Sequence, residues 1–215
     1  MLLREVVIAT GNQGKLNEYR KILYGPELRV LGLEDVPVAM SEVIETGRSY
    51  VNNAIAKAVA VAKTAGIPAI GDDSGLEIDA LDGAPGPVSA RYGINLRQKN
   101  VRSERDRNEL ILDLMKSVPL PKRTARFRAC VALAMPGNII ITREGVCEGF
   151  IAESPRGDDG FGYDPIFLIP DGRSMAQIGD LKNTISHRGK AIAALLTAIS
   201  PVSYTHLTLP TNREV

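Results

Sequence analysis

The sequence predicts an α/β fold, a mixed β-sheet with helices packed around it. Two observations predict it. In the first part of the chain, short apolar segments rich in β-branched residues alternate with segments of helical periodicity. Later, two long strand-like segments, 124–135 and 138–152, are joined by Pro136-Gly137-Asn138, which is a strong hairpin signal. The chain contains no internal repeat and no low-complexity tract.

The first elements are a strand, a helix and a second strand. Segment 5–10, EVVIAT, is short, apolar and β-branched, as expected of a buried strand. The apolar residues Leu16 and Tyr19 stand at helical spacing and predict a helix over 15–23, which Gly25-Pro26 ends. Segment 27–33 is compatible with a second strand.

An alanine-rich helix and the central strands follow. Segment 49–66 predicts a helix with Gly66 at its C-terminal end. Residues 67–73 predict a short strand that runs into a turn, and a strand-like alternation resumes at 74–81. Segment 83–87, Gly-Ala-Pro-Gly-Pro, interrupts the chain again.

Two further helices are predicted. Segment 95–118 is a long helical candidate with Leu110, Ile111 and Leu114 on its apolar side. Segment 186–199 predicts a terminal helix, for which Ser186 is a candidate N-cap.

Composition excludes several classes of protein. The chain has 215 residues, 44% of them hydrophobic, with no apolar stretch long enough to span a membrane. The start of the sequence does not predict a signal peptide. Cys130 and Cys147 form no CxxC pair, which argues against a zinc site and fits a reducing cytoplasm. The net charge of +1 predicts no membrane or nucleic-acid partner, and the charge run 97–107 contains acidic residues, which predicts a solvated helix face.

The stretch Thr10 to Lys15, TGNQGK, is the first candidate for chemistry. A strand that turns through Gly11 and Gly14 into a helix leaves backbone N–H groups free, and these favour an anion. Lys15 faces the positive end of the helix dipole, which is better explained if an anion lies between them. The spacing is too short for a P-loop. A plain strand-to-helix turn is the alternative.

Adjacent carboxylates form the second candidate. Asp72 and Asp73 follow a short apolar strand, between Gly71 and Gly75. Such a pair repels unless a cation or hydrogen-bond donors offset the charge, and oxygen ligands of this kind suit Mg²⁺. An Asp-rich turn is the alternative, since Asp, Ser and Gly are common turn residues.

A glycine-rich aromatic loop at 157–165 is the third candidate. Phe161 and Tyr163 stand among three glycines and offer a face on which a base could stack. Asp164 is suited to accept hydrogen bonds from a base edge. The alternative is a rigid surface loop with one aromatic ring tucked into the core.

Positive charge before the terminal helix is the fourth candidate. Lys182, His187, Arg188 and Lys190 lie close together in sequence. Basic residues oppose the dipole at a helix N-terminus, which again indicates an anion partner. A solvated basic helix start is the alternative.

Taken together and in order, these motifs resemble the inosine triphosphate pyrophosphatase family. The resemblance rests on TGNQGK, ETGRSYVNNAIAKA, DDSGLEIDALDGAPG with SARY, RGDDGFGYDPIF and SHRGKA. It covers about residues 6–199, and five motifs in one order make it specific.

The resemblance implies an elongated mixed sheet in a single two-lobed domain over 1–200, with the active-site cleft between the lobes. It implies a Mg²⁺-dependent homodimer that cleaves ITP, dITP or XTP to the monophosphate and pyrophosphate. Asp73 is then the general base and a metal ligand, with Asp72 beside it. The implied substrate-binding residues are Thr10, Gly11, Asn12, Gln13, Gly14, Lys15, Lys57, Ser74 and Arg91 around the triphosphate, and Phe161, Gly162, Tyr163, Asp164, Lys182, His187 and Arg188 around the base.

Two departures from the family pattern concern charge. Ile44 stands where the family often has a metal-binding Glu, so Glu45 is the expected second metal carboxylate, with Glu42 as the alternative. Asn52 stands where a Glu is usual. These departures keep open the alternative of an inactive nucleotide-binding homologue. A pyrophosphatase for a different modified nucleotide is a second alternative, since a similar cleft would serve it.

The last residues, 201–215, continue no pattern from the preceding helix. They resemble the translation of a sequencing adapter, which predicts a non-native segment. A natural disordered tail is the alternative.

Overall fold

A single mixed sheet organises the chain. The structure is a computed structural model that describes residues 3–37, 49–94, 101–137 and 139–199. Within these residues the strands are β1 (Glu5–Ala9), β2 (Arg29–Leu31), β3 (Ala69–Ile78), β4 (Thr124–Ala134), β5 (Ile140–Ile151) and β6 (Phe167–Leu168). The helices are α1 (Gln13–Ile22), α2 (Tyr50–Ala65), α3 (Glu104–Leu114), α4 (Lys182–Ile185) and α5 (His187–Ile199).

The strands are ordered β2-β1-β3-β4-β5-β6. Strand β1 pairs in parallel with β2 and β3, because helices connect these strands, whereas β3, β4, β5 and β6 pair antiparallel in turn. The predicted mixed α/β sheet and the predicted hairpin are therefore confirmed.

Helices cover both faces of the sheet. The alanine side of α2 packs on β1, β3 and β4, and the approach is so close that a Cβ on Gly71 would lie 2.0 Å from the carbonyl oxygen of Ala54. On the other face, α1 and α5 enclose a second core around Leu16, Tyr19 and Ile192. Gly66 ends α2 in the left-handed conformation, as predicted.

Strand β3 differs from the expectation. The sequence predicted a turn at Gly71 to Gly75, but the chain runs straight through as one ten-residue strand. Its whole length pairs with β4, with Asp72 opposite Val131 and Asp73 opposite Cys130. The ladder with a long neighbouring strand overrides the turn preference of Gly, Asp and Ser.

Helix α3 is shorter than the predicted segment 95–118. It begins at Glu104 after a capping box in which Ser103 and Asp106 bond each other's backbone N–H groups, and it ends at Leu114. The predictions for 95–100, for Ile44 and Glu45, and for 201–215 concern residues outside the described part of the chain. No helix of the described part is long and apolar enough to cross a membrane.

Candidate active site

A cleft of about 300 Å³ lies at the end of β1 and beside the middle of β3. It brings together most of the sequence-predicted triphosphate residues and part of the aromatic loop. Those lining it are Thr10, Gly11, Asn12, Lys15, Lys57, Asp73, Ser74, Arg91, Phe161, Gly162 and Tyr163.

Two hydrogen bonds between residues close in sequence shape the turn from β1 into α1. The Asn12 side chain accepts from Lys15 N at 3.0 Å and caps the helix. The Thr10 hydroxyl oxygen accepts from Asn12 N at 3.1 Å. These bonds stabilise the conformation of the turn, and Lys15 lines the cleft. Gln13 is exposed and does not line this cavity.

Asp72 is buried behind the cleft among three donors. Arg188 Nε donates to Oδ2 at 2.7 Å, and Lys15 Nζ lies 2.5 Å from Oδ1. The hydroxyl of Tyr19 donates to Oδ2 at 3.1 Å. Burial acts to raise the pKa of Asp72, but Arg188 and Lys15 outweigh it and hold the pKa well below its usual value. Asp72 is therefore a charged anchor.

The two adjacent aspartates face opposite sides of the sheet because side chains alternate along a strand. Asp73 points toward α2, where Asn53 Nδ2 donates to Oδ2 at 2.8 Å and Lys57 Nζ lies 3.1 Å from Oδ1. The expected repulsion between Asp72 and Asp73 is thus offset by a separate set of donors for each. Burial raises the pKa of Asp73 above its usual value, against the opposing effect of Lys57.

A second charged network links the terminal helices to α1. Glu18 lies between Arg188 Nη1 and Lys182 Nζ, each 2.5 Å from one of its oxygens. Lys182 also contacts Asp164 Oδ2, which accepts from Phe161 N at 2.8 Å. The structure therefore brings Asp164, Lys182 and Arg188 together, as the resemblance implied.

Phe161 lies between the main cleft and a second cavity of about 480 Å³, since it lines both. Its ring packs so closely on Gly14 that a Cβ there would lie 2.5 Å from Cδ1 of the ring. Lys182 Nζ is 4.7 Å and Arg188 Cζ 5.8 Å from the ring centroid. Gly14 and Lys182 line the second cavity, not the first.

His187 is not brought to either cavity. Its ring stacks on Phe127 with 4.8 Å between centroids, and its Nδ1 makes no hydrogen bond within the described part of the chain. Burial, and then Arg188, lowers its pKa well below the usual value, so the ring is neutral. Ser186 accepts from Gly189 N at 3.1 Å, which confirms it as the cap of α5.

Sequence reasoning missed two residues of these networks. Asn53 precedes Lys57 by one helical turn, so both reach Asp73 from one face of α2. Glu18 follows Gly14 by one turn of α1 and lines the second cavity beside it. Helical spacing from a predicted site residue was the signal available for both.

Helix α3 also contributes to the cleft, where the sequence predicted only a solvated face. Glu104 and Arg107 line it, whereas Arg105 is exposed. Glu104 Oε2 accepts from Gly162 N at 2.7 Å, and Asn108 Nδ2 donates to Gly162 O at 3.0 Å. The helix thereby holds the aromatic loop by its backbone.

The carboxylates fit a magnesium ion that shares its coordination with substrate. The described residues include no group of three His, Cys, Asp or Glu that could hold a metal on their own. Asp73 is a cleft carboxylate, and Mg²⁺ typically takes one or two carboxylates together with phosphates and water. Both oxygens of Asp72 already accept from cations or a hydroxyl.

The mixed sheet and its charged cleft define an α/β protein with a site suited to a phosphate-bearing ligand. The chain belongs to the Ham1 family, whose model matches residues 6–198. It is 45% identical over 195 residues to the dITP/XTP pyrophosphatase of Geobacter sulfurreducens, covering 90% of this chain and 95% of that one. It is 43% identical over 197 residues to the dITP/XTP pyrophosphatase of Bacillus subtilis, covering 91% of this chain and 96% of that one.

Solved structures agree with the family and the fold. A HAM1 protein from Coxiella burnetii superposes with a TM-score of 0.77 at 38% identity, covering 92% of this chain and 98% of that one. The Ham1 protein of Staphylococcus aureus gives a TM-score of 0.75 at 37% identity, covering 90% of this chain and 97% of that one. The family resemblance seen in the motifs is thereby confirmed.

Proposed function

We propose that this protein hydrolyses non-standard purine nucleoside triphosphates, namely ITP, dITP and XTP, to the monophosphate and pyrophosphate, and so removes them from the nucleotide pool. The observation that carries the proposal is the cleft that places Asp73 beside Lys57 and Lys15. The dITP/XTP pyrophosphatases, which share 45% and 43% of aligned residues with this chain, support the choice of substrate.

The reaction needs a base, neutralisation of developing charge and cations on the leaving pyrophosphate. Asp73 is the proposed base: it takes a proton from water as the oxygen bonds to phosphorus and the bond to pyrophosphate breaks. Its raised pKa makes it a better proton acceptor than an ordinary Asp. Lys15 and Lys57 stabilise the negative charge of the phosphates.

Magnesium is the proposed cofactor, held by Asp73 with Glu45 and Asp72 as the further candidate carboxylates. When bound, Mg²⁺ neutralises charge on the phosphates. Of the two carboxylates that the structure describes, Asp73 supports the role better, because it lines the cleft and Asp72 does not.

The aromatic loop and the second network are proposed to select the base. Phe161 stacks on the purine, and its position between the two cavities supports this role. Hypoxanthine and xanthine carry a 6-oxo acceptor where adenine has an amine. Lys182, which lines the second cavity beside Phe161, is a donor suited to that acceptor. Arg188 lies 5.8 Å from the ring centroid and is proposed to act from behind it, since its donors contact Asp72 and Glu18.

We also propose that the working unit is a cytoplasmic homodimer of the two-lobed domain 1–200, with no nucleic-acid or membrane partner. Size-exclusion chromatography with light scattering tests the dimer. Deletion of 201–215 is expected to change neither activity nor the number of subunits in the assembly, and loss of activity or of the dimer would assign that segment a structural role.

A substrate panel tests the function. Purified protein with Mg²⁺ is offered ITP, XTP, dUTP, GTP and ATP, and pyrophosphate release is measured. We expect release from ITP and XTP well above that from ATP. Release from dUTP alone would instead indicate a pyrophosphatase for a different nucleotide. Binding of ITP without any turnover would indicate an inactive nucleotide-binding homologue.

A further inference from the structure

The α3 side of the cleft carries a cation with no role in the scheme above. Arg107 lines the cleft, and its side chain is only 14% exposed. Arg105, two residues earlier, is 87% exposed and pairs with Glu109 along the helix. The two arginines therefore point to different environments, and one of them faces the site.

Two other cations of the cleft, one on α1 and one on α2, have carboxylate partners at short range. Lys15 contacts Asp72 at 2.5 Å and Lys57 contacts Asp73 at 3.1 Å. Arg107 Nη2 lies 4.0 Å from Glu104 Oε1, which is too far for a hydrogen bond. Among the described residues the Arg107 guanidinium makes no hydrogen bond, so its donors stay available to a ligand.

Glu104 accepts a hydrogen bond from a residue of the aromatic loop. Its Oε2 accepts from Gly162 N at 2.7 Å, and Asn108 holds the Gly162 carbonyl oxygen from the next turn of α3. These two bonds fix the helix against the loop that carries Phe161. Arg107 is therefore presented by a helix whose position relative to the aromatic loop is fixed.

We propose that Arg107 binds the phosphates of the nucleoside triphosphate from the α3 side of the cleft. A guanidinium offers a planar fork of donors that matches two phosphate oxygens at once. Arg107 has Glu104 as an ion-pair neighbour at 4.0 Å but no hydrogen bond to it, and the oxygens of a triphosphate can accept from its unused donors. This inference rests on the proposed function, because that function supplies the triphosphate.

The test compares Arg107→Ala, Arg107→Gln and the matched control Arg105→Ala. We expect Arg107→Ala to raise KM for ITP roughly tenfold to a hundredfold, the effect of losing a charge-assisted hydrogen bond. Arg107→Gln removes the charge with less loss of volume and provides the same comparison if the Ala variant does not fold. Arg105→Ala is expected to stay within about twofold of wild type, as usual for an exposed ion pair.

Calorimetric binding of inorganic tripolyphosphate separates phosphate contacts from contacts to the nucleoside. We expect Kd for tripolyphosphate to rise by about the same factor as KM in both Arg107 variants. An unchanged KM, a raised KM with unchanged tripolyphosphate affinity, or an equal loss in Arg105→Ala would each overturn the proposal. Absence of ITP and XTP hydrolysis by the wild type would overturn the proposed function instead, and tripolyphosphate binding would still test Arg107.

Discussion

Arg188 and Asp72 join the last helix to the centre of the sheet. Arg188 Nε donates to Asp72 Oδ2 at 2.7 Å although the two residues are 116 positions apart in sequence. Both side chains are at most 1% exposed, and the same carboxylate contacts Lys15. The pair therefore fixes α5, β3 and the first turn of α1 to one another directly behind the cleft.

We expect Asp72→Asn to lower the free energy of unfolding by about 3–5 kcal/mol. The substitution keeps the size of the side chain but leaves the buried charges of Arg188 and Lys15 without this partner. Urea denaturation followed by circular dichroism measures the change. Glu34→Gln is the control, since it breaks an exposed pair with Arg20 and is expected to cost about 0–1 kcal/mol. Equal stability of the two variants would contradict a structural role for Asp72.

Asp73 should matter to turnover more than to folding. We expect Asp73→Asn to lower kcat for ITP at least about 100-fold, because a positioned base is lost while the contacts to Asn53 and Lys57 keep a polar partner. Asp171→Asn, an exposed carboxylate that pairs with Arg173, is expected to leave kcat unchanged. Pyrophosphate release under saturating ITP gives kcat. Activity of Asp73→Asn close to wild type would move the base to another residue.

Glu18 should make stability depend on pH. Burial alone would raise its pKa, but Arg188 and Lys182 together lower the pKa below the ordinary value of 4.5. Above about pH 4.5 the carboxylate is charged in the folded and the unfolded chain, so its full contribution to stability is present. As the pH falls through the folded pKa, the carboxylate takes up a proton and the contribution is lost.

The measurement is the free energy of unfolding of wild type and Glu18→Gln between about pH 3 and 8. We expect a constant difference of about 3–5 kcal/mol above pH 4.5 that narrows at lower pH. The exposed Glu27→Gln gives the matched control and is expected to show little difference at any pH. A gap that stays constant down to pH 3 would show that Glu18 contributes through packing rather than charge.

The parts of this structure that the sequence predicted are those with local signals. Ser186 caps α5 through the N–H of Gly189, three residues away, and Gly66 ends α2 with a left-handed residue. Pro136-Gly137 joins the two hairpin strands. In each case the interacting groups are close in sequence, so the residue types alone carry the information.

The features that the sequence did not predict depend on distant pairing. The residue types around Asp72 and Asp73 predict a turn, but in the fold both residues pair with β4 as part of a long strand. The position of Lys15 at a helix N-terminus predicted an anion partner. In the fold, the carboxylate of Asp72, 57 residues away in sequence, contacts Lys15 in addition to any phosphate. Glu18 and Arg107 lie on helices whose other faces are solvated, so only packing shows which side chains reach a cavity.

The contact between Gly14 and Phe161 gives a test of the aromatic loop. A Cβ at position 14 would lie 2.5 Å from Cδ1 of the ring, so Gly14→Ala must displace Phe161. The ring adjoins two cavities and can move into either, so we expect stability to change little, all the more because Ala favours a helix over Gly. The stacking position for the purine would be lost.

We therefore expect Gly14→Ala to lower kcat/KM for ITP by about tenfold to a hundredfold, the effect of misplacing a positioning group by about 1 Å. Affinity for inorganic tripolyphosphate should fall less than kcat/KM for ITP, because Lys57 and Arg107 line the main cleft from other helices. Gly25→Ala is the control, since a Cβ there meets no atom within 4 Å. Wild-type kcat/KM in Gly14→Ala would mean that the packed position of Phe161 is not the one that substrate uses, and the base would then have to be held by the Glu18, Lys182 and Arg188 network without a stacked ring.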